Sequence, residues 1–187
     1  RYDDTALSIL AGEGVLFPKV WDPARTGLAS RPPGYGLFLA SVYGTLGRSF
    51  PIVAAVQDVL TSLAVLLVFA FALRLFGLAA GVLAGLLVAI SPHVAATSNL
   101  VLADAIASIP LLLAFLVALP VVRGDGSARS QIVRLVLMGV LIGLGVWIRP
   151  NVLLLGPFAA FFLFFLLGPS RRALGLSALM ALTSLLV

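Results

Sequence analysis

Arg31-Pro32-Pro33-Gly34-Tyr35-Gly36-Leu37-Phe38-Leu39-Ala40 stands between a charged stretch and a series of long apolar runs. Pro32 and Pro33 fix their own φ and hold the preceding residue extended, so Arg31 is presented at a set place just before a helix begins at Gly34. The apolar run from Tyr35 to Leu46 is about a dozen residues, some 18 Å of helix, against roughly 30 Å of hydrocarbon in a bilayer. It is too short to span. The expectation is a helix lying in the membrane interface, with Tyr35 and Tyr43 as amphipathic anchors at headgroup level.

Working outward, the chain is 61% hydrophobic and 10% charged, with a mean hydropathy of +1.19, where soluble domains run at about 45–50% apolar. This is the composition of a membrane protein. The formal charge of +5 is explained by arginines at span ends, and with no interleaving of aromatic and basic residues nucleic acid is not an expected partner. The absence of cysteine excludes disulfides, thiolate catalysis and cysteine-based metal sites, and a single histidine excludes a histidine-rich one. Neither a metal nor a cofactor is expected. The chain starts at Arg1 without an initiator methionine and stops inside the apolar run Ala173 to Val187, which reads as a fragment cut at both ends.

Residues 1–50 read as a water-facing loop with a short helix over Thr5 to Ala11 and the interfacial helix. Residues 51–187 read as a bundle of membrane spans: Pro51 to Leu75, Leu78 to Ile90, Asp104 to Val122, Leu135 to Ile148, Val152 to Leu167, and a last run after Arg171 and Arg172. Gly81 and Gly85 form a small-residue packing signature, and Gly139, Gly143 and Gly145 permit close helix approach. If successive spans alternate, Arg74, Arg123, Arg129, Arg134, Arg171 and Arg172 share one side with Asp125 as their sole acid. The positive-inside rule makes that side cytoplasmic. Every other acid, with Lys19, Arg25, Arg31, Arg48 and Arg149, then falls on the opposite, extracytoplasmic side.

Three stretches resemble the C-type (GT-C) glycosyltransferases that use polyprenyl-phosphate sugars, the group holding the protein mannosyltransferases and the bacterial lipid A aminoarabinose transferases. They are Tyr2-Asp3-Asp4 with Ala6 to Gly14 and Arg31 to Ala40, then Leu102-Ala103-Asp104-Ala105, then Gly143 to Asn151. The resemblance implies an all-α polytopic transmembrane bundle of GT-C type, whose extracytoplasmic loop carries short interfacial helices. It also implies an enzyme of the cell envelope, in a bacterial plasma membrane, taking a sugar from a polyprenyl-phosphate donor to a hydroxyl of a lipid, glycan or protein acceptor. The anomeric centre inverts by direct displacement.

Such a transfer needs a carboxylate to receive the acceptor proton and cations to stabilise the departing phosphate. In the family the base is an aspartate early in the first loop, and counting back from Gly12 puts that position at or just before Arg1. Asp3 and Asp4 are the nearest catalytic candidates, or else caps on the Thr5 helix. Asp104, the third, opens a span where an ionisable group costs about 2.5–3.5 kcal/mol at membrane depth, so it lines a cavity in this reading, or else caps its helix. The substrate-binding candidates are Arg31, Tyr35, Arg149 and Asn151. Arg149 breaks the positive-inside pattern, and either a donor phosphate or an ion pair with Asp104 or Asp58 would account for it. Gln57 and Asp58 sit within two turns of the start of their span, where Asp58 either lines the cavity or is solvated at the interface. His93 reads as a loop residue facing solvent or headgroups, and Trp21 and Trp147 as interface anchors.

Two other classes compete. A transporter or flippase would favour ionisable groups at mid-span and broken helices in two matching halves, whereas these acids lie near one end of the spans and no repeat is evident. A non-catalytic membrane assembly subunit is the third.

Overall fold

The computed structural model describes residues 2–15, 32–100 and 102–186. Its elements are helical: α1 (Tyr2–Leu10), α2 (Gly34–Leu46), α3 (Phe50–Phe76), α4 (Leu78–Ala89), α5 (Pro92–Asn99), α6 (Asp104–Val122), α7 (Ala128–Ile148), a 3₁₀ turn (Pro150–Val152), α8 (Leu155–Leu166) and α9 (Arg171–Leu186). The expected all-α membrane bundle is what the chain forms. Among the described residues three helices, α3, α6 and α7, are long and apolar enough to cross a bilayer. α6 is the most enclosed of them, which puts it at the centre.

Prolines and glycines set the helix boundaries. Pro51 and Pro92 occupy the first turns of α3 and α5, where a missing N–H costs nothing. Gly77, at φ 90°, ends α3 in a conformation that disfavours any residue with a Cβ, so α4 starts at once and folds back. Two expected spans are corrected by this segmentation. Leu78–Ala89 and Leu155–Leu166 are 12 residues each, about 18 Å of helix, and fall short of crossing alone. The chain finishes the first passage with α5, after the break at Ser91-Pro92. That corrects a second expectation, because His93 lies on a helix, not in a loop.

Small residues let the helices approach. A Cβ on Gly81 would meet Leu73 Cβ at 3.0 Å, and one on Gly85 would meet Phe69 Cβ at 3.2 Å, so the small-residue face of α4 lies on α3. Gly145 faces Leu111 of α6, and Gly139 faces Thr183 Oγ1 and the Met180 carbonyl of α9. Two apolar clusters result. One joins α1, α2, the start of α3 and the start of α6 around Tyr35, Leu39 and Ile106. The other joins α6, α7, α8 and α9 around Leu135, Ile142 and Met180.

The bundle has two distinct ends. Arg123 donates to the Arg74 carbonyl, and Arg172 donates to Gln131 Oε1 at 3.2 Å, so the end of α3, the end of α6, the start of α7 and the start of α9 share one end. Gln57 of α3 reaches the Leu100 and Leu102 carbonyls before α6, and Gly34 abuts the Trp147 carbonyl near the end of α7. α1 and α2 therefore lie at the other end.

Candidate functional site

At that second end, α2 is clamped from both sides. A Cβ on Gly34 would come 2.6 Å from the Trp147 carbonyl oxygen, and one on Gly36 would come 2.7 Å from Thr5 Cγ2. Glycine at these two positions is what allows α2 to lie between α7 and α1. Tyr35, between them, is fully buried, edge-on to Tyr2 with centroids 4.9 Å apart and stacked on Phe38 at 5.7 Å. Its hydroxyl donates to Gln57 Oε1 at 3.1 Å, and burial pushes its ionisation well above the ordinary phenol range. The expected headgroup anchors are thus corrected: Tyr35 and Tyr43 face inward, because α1 covers the surface that a bare interfacial helix would present. Tyr35, a substrate-binding candidate, is a strut whose hydroxyl is already engaged.

Gln57 carries more than its place near the start of a span suggests. It is fully buried inside an apolar helix. Its amide accepts from Tyr35 and donates to the Leu102 carbonyl at 3.1 Å and the Leu100 carbonyl at 3.4 Å. One side chain thereby ties α2 to the segment that leads into Asp104. The available signal was an amide in an otherwise apolar run, a group that needs partners wherever water is absent.

Asp3 and Asp4 do not cap a helix beginning at Thr5, since α1 starts at Tyr2 and places both in its first turn. Asp3 accepts from Tyr43 Oη at 2.8 Å and from Arg48 Nη2 at 2.7 Å. Burial raises the Asp3 carboxyl, but the hydrogen bonds from Arg48 and Tyr43 outweigh it and hold the group below its ordinary range. Tyr43 is pushed up to about 12 by burial and by the neighbouring Asp3 carboxylate. Asp3 is therefore a brace between α1 and the end of α2. Asp4, next to it, is exposed.

Asp104 and Arg149 form an ion pair, each side chain more than a third exposed. The capping alternative for Asp104 is corrected, because the cap position is Ala103 and carries no side-chain hydrogen bond. The Arg149 partner is settled as Asp104, not Asp58. The pairing follows from helix geometry: α6 and α7 run antiparallel, so the first residue of one meets the residue just past the end of the other. Pro150 opens a 3₁₀ turn immediately after Arg149, and Asn151 is exposed on that turn. Arg31 lies outside the described residues, as do Trp21, Asp22, Lys19 and Arg25.

A cavity of about 460 Å³ opens beside Asp104, between α3, α5 and α6. Asp104, His93, Thr97, Ser108 and Thr61 supply its polar lining, and Ala64, Val68, Leu111, Leu112 and Phe115 line its apolar part. The site end thus offers an arginine held in place by a carboxylate, two further carboxylates on α1, and a cavity. That is the equipment for holding an anion next to a group carrying hydroxyls.

Residues 30–187 match the family model described as dolichyl-phosphate-mannose-protein mannosyltransferase. No curated protein and no solved structure matches the chain.

Proposed function

Because the chain belongs to the dolichyl-phosphate-mannose-protein mannosyltransferase family, a family of membrane glycosyltransferases, we propose that it moves a sugar from a polyprenyl-phosphate donor to an acceptor hydroxyl on the extracytoplasmic face. The observation that carries this reading is the Asp104–Arg149 pair. A lone arginine at a span end would snorkel to headgroups. Fixed by Asp104 on one flank and by Pro150 in the chain, Arg149 keeps part of its planar fork open for a phosphate at headgroup level.

Sidedness follows from charge. The end with Arg74, Arg123, Arg134 and Arg172 is cytoplasmic by the positive-inside rule, and the Asp104 end faces outward. A transferase there is remote from nucleotide sugars, which favours a donor carried in the bilayer. Polyprenyl-phosphate mannose is the nearest fit to the family description.

Direct displacement divides the acidic residues by role. The attacking oxygen and the departing phosphate lie on opposite faces of the anomeric carbon, as the spacing of about 6.5–9.5 Å between the two carboxyls of inverting glycosidases illustrates. Asp104 touches Arg149, so it belongs to the phosphate side and serves as the residue that aims the guanidinium. The proton acceptor then comes from α1. Asp3 and Asp4, both in its first turn, are the candidates for that base. Asn151, exposed on the turn after Arg149, adds a polar group beside the phosphate.

Binding of polyprenyl-phosphate mannose to the purified full-length protein is the test. Arg149→Ala is expected to weaken it at least tenfold, on the scale of a lost charge-assisted pair, while Arg149→Lys restores part of it. Unchanged affinity in Arg149→Ala would leave the arginine as half of an internal ion pair and remove the phosphate site. Cysteines introduced by Ser130→Cys and Asn99→Cys are expected to label from opposite sides of sealed membranes, and same-side labelling overturns the orientation.

A further inference from the structure

We propose that the cavity between α3, α5 and α6 seats a neutral polyhydroxyl group, the ring of a sugar, beside the phosphate site; this rests on the functional reading above and assigns it a second, chemically different compartment. The lining decides the class. Thr97 Oγ1 donates to the His93 and Val94 carbonyls, each at 3.0 Å, and Ser108 Oγ donates to the Ala105 carbonyl at 3.2 Å. Their protons are used within their own helices, so what they present to the cavity is lone pairs. Asp104, a carboxylate, is also an acceptor. Thr61 Oγ1 is buried with no hydrogen-bond partner among the described residues, and it too lines this cavity. An orphaned buried hydroxyl is uncommon and asks for a partner from outside the chain.

A surface of converging acceptors selects a ligand that brings donors. Phosphate brings only acceptors and negative charge, and would meet the Asp104 carboxylate head-on. A sugar ring brings several hydroxyl donors around its edge and apolar C–H faces, which suit the Phe115 side of the cavity. The volume of about 460 Å³ lies in the range of about 300–1,000 Å³ common for small-molecule sites. His93 stands at the same cavity and adds an imidazole to its lining. The sugar has two sources: the mannose on the lipid donor, or a carbohydrate acceptor.

The experiment compares full-length wild type with Thr61→Val, Thr97→Val and Ser108→Ala, which keep shape and remove acceptors. Binding is read for bare polyprenyl phosphate, for polyprenyl-phosphate mannose, and for methyl α-mannoside in the presence of the bare lipid. A donor-sugar site predicts that wild type prefers the mannose-bearing lipid over the bare one and that each variant loses about tenfold of that preference. An acceptor site predicts instead that methyl α-mannoside binds and that the same variants lose it. In both cases bare-lipid binding, which depends on Arg149, stays at the wild-type level. Its failure in wild type counts against the functional reading, not against this one. If the three variants keep wild-type affinity for both mannose-bearing ligands, the sugar compartment is wrong. If Ser108→Leu blocks the bare lipid as strongly as the mannose-bearing one while the three acceptor-removing variants have no effect, the cavity holds lipid chain, and the proposal is overturned.

Discussion

The two ends of the bundle use polar residues in opposite ways. At the end with Asp104, side chains reach between elements, with Tyr35, Gln57 and Tyr43 enclosed and Arg48 exposed: Tyr35 to Gln57, Gln57 to the Leu100 and Leu102 carbonyls, Tyr43 and Arg48 to Asp3, Arg149 to Asp104. At the other end, exposed arginines reach for whatever oxygen is near, Arg123 for the Arg74 carbonyl, Arg134 for the Asp125 carbonyl and Arg172 for Gln131. The energetics differ accordingly. A buried amide without its partners costs about 1–3 kcal/mol, whereas an exposed ionic contact is worth roughly 0–1 kcal/mol. The first end demands one geometry, and the second asks only for positive charge. Precise placement of side chains is a requirement of binding and chemistry, so the contrast supports the proposed site at the first end.

The strongest way to break this comparison is Asp104→Asn. Asparagine keeps the size but loses the charge that aims Arg149, and turnover of polyprenyl-phosphate mannose is expected to fall by about a hundredfold or more, as for a residue that positions the phosphate-binding arginine. Expression and membrane insertion should be retained. Full turnover in Asp104→Asn would make the pair structural and the two ends alike.

Next in size is Gln57→Leu, which strands the Tyr35 hydroxyl and the Leu102 carbonyl. Loss of about 1–3 kcal/mol of stability is expected, and Tyr35→Phe, which strands a single amide oxygen, should lose less. Thermal unfolding in detergent checks the order. If Gln57→Leu melted with wild type, the enclosed network would have no energetic weight.

Arg123→Ala and Arg172→Ala sharpen the contrast from the other side. Each should change stability by under about 1 kcal/mol and leave turnover untouched, while removal of several arginines from that end should disturb orientation in the membrane. A single-site loss as large as that of Gln57→Leu would erase the distinction between the ends.

The smallest effect lies in the titration of Tyr43 and Asp3. The Tyr43 phenol is raised from an ordinary value of 10.0 to about 12, so the folded state holds that proton more tightly. Its contribution to stability is complete below pH 10 and is lost as pH rises through about 12. Asp3 is lowered from 3.8, so its contribution is complete above that value and is lost as pH falls through the folded pKa. Phenolate absorbance is the readout. Asp3→Asn should bring Tyr43 down while leaving it above 10, because burial is the larger cause. A Tyr43 titration unmoved by Asp3→Asn would remove the brace.

The sequence exposed the helical class and the two ionisable residues of the candidate site that form the ion pair, because a charge at the end of an apolar run stands out against composition. Asp104 and Arg149 were each visible in this way. Their pairing was one of several open choices, since it depends on α6 and α7 lying antiparallel with matched ends. Tyr43 was misread for a physical reason: a tyrosine in a short apolar helix is an interface anchor only if nothing covers it, and α1 does. Gln57 was noticed and undervalued, because periodicity reports which face is apolar and is silent on which oxygen atoms lie across from it. The division of Leu78 to Asn99 into two helices was legible in Ser91-Pro92, but its consequence was not drawn from the length.

That length bears on the depth of the proposed sugar compartment. With the arginine end set at one edge of a hydrocarbon layer of about 30 Å, an α4 of about 18 Å would bring the break at Ser91-Pro92 to roughly 12 Å short of the far surface. α5, carrying Thr97 and His93, closes the cavity at that depth. The compartment therefore moves with membrane thickness: a thicker bilayer sinks α5 further from water, and a thinner one lifts it toward the headgroups. Acyl-chain length becomes a control variable for sugar binding, with the same protein in reconstituted bilayers of different thickness expected to show different affinities although no residue has changed.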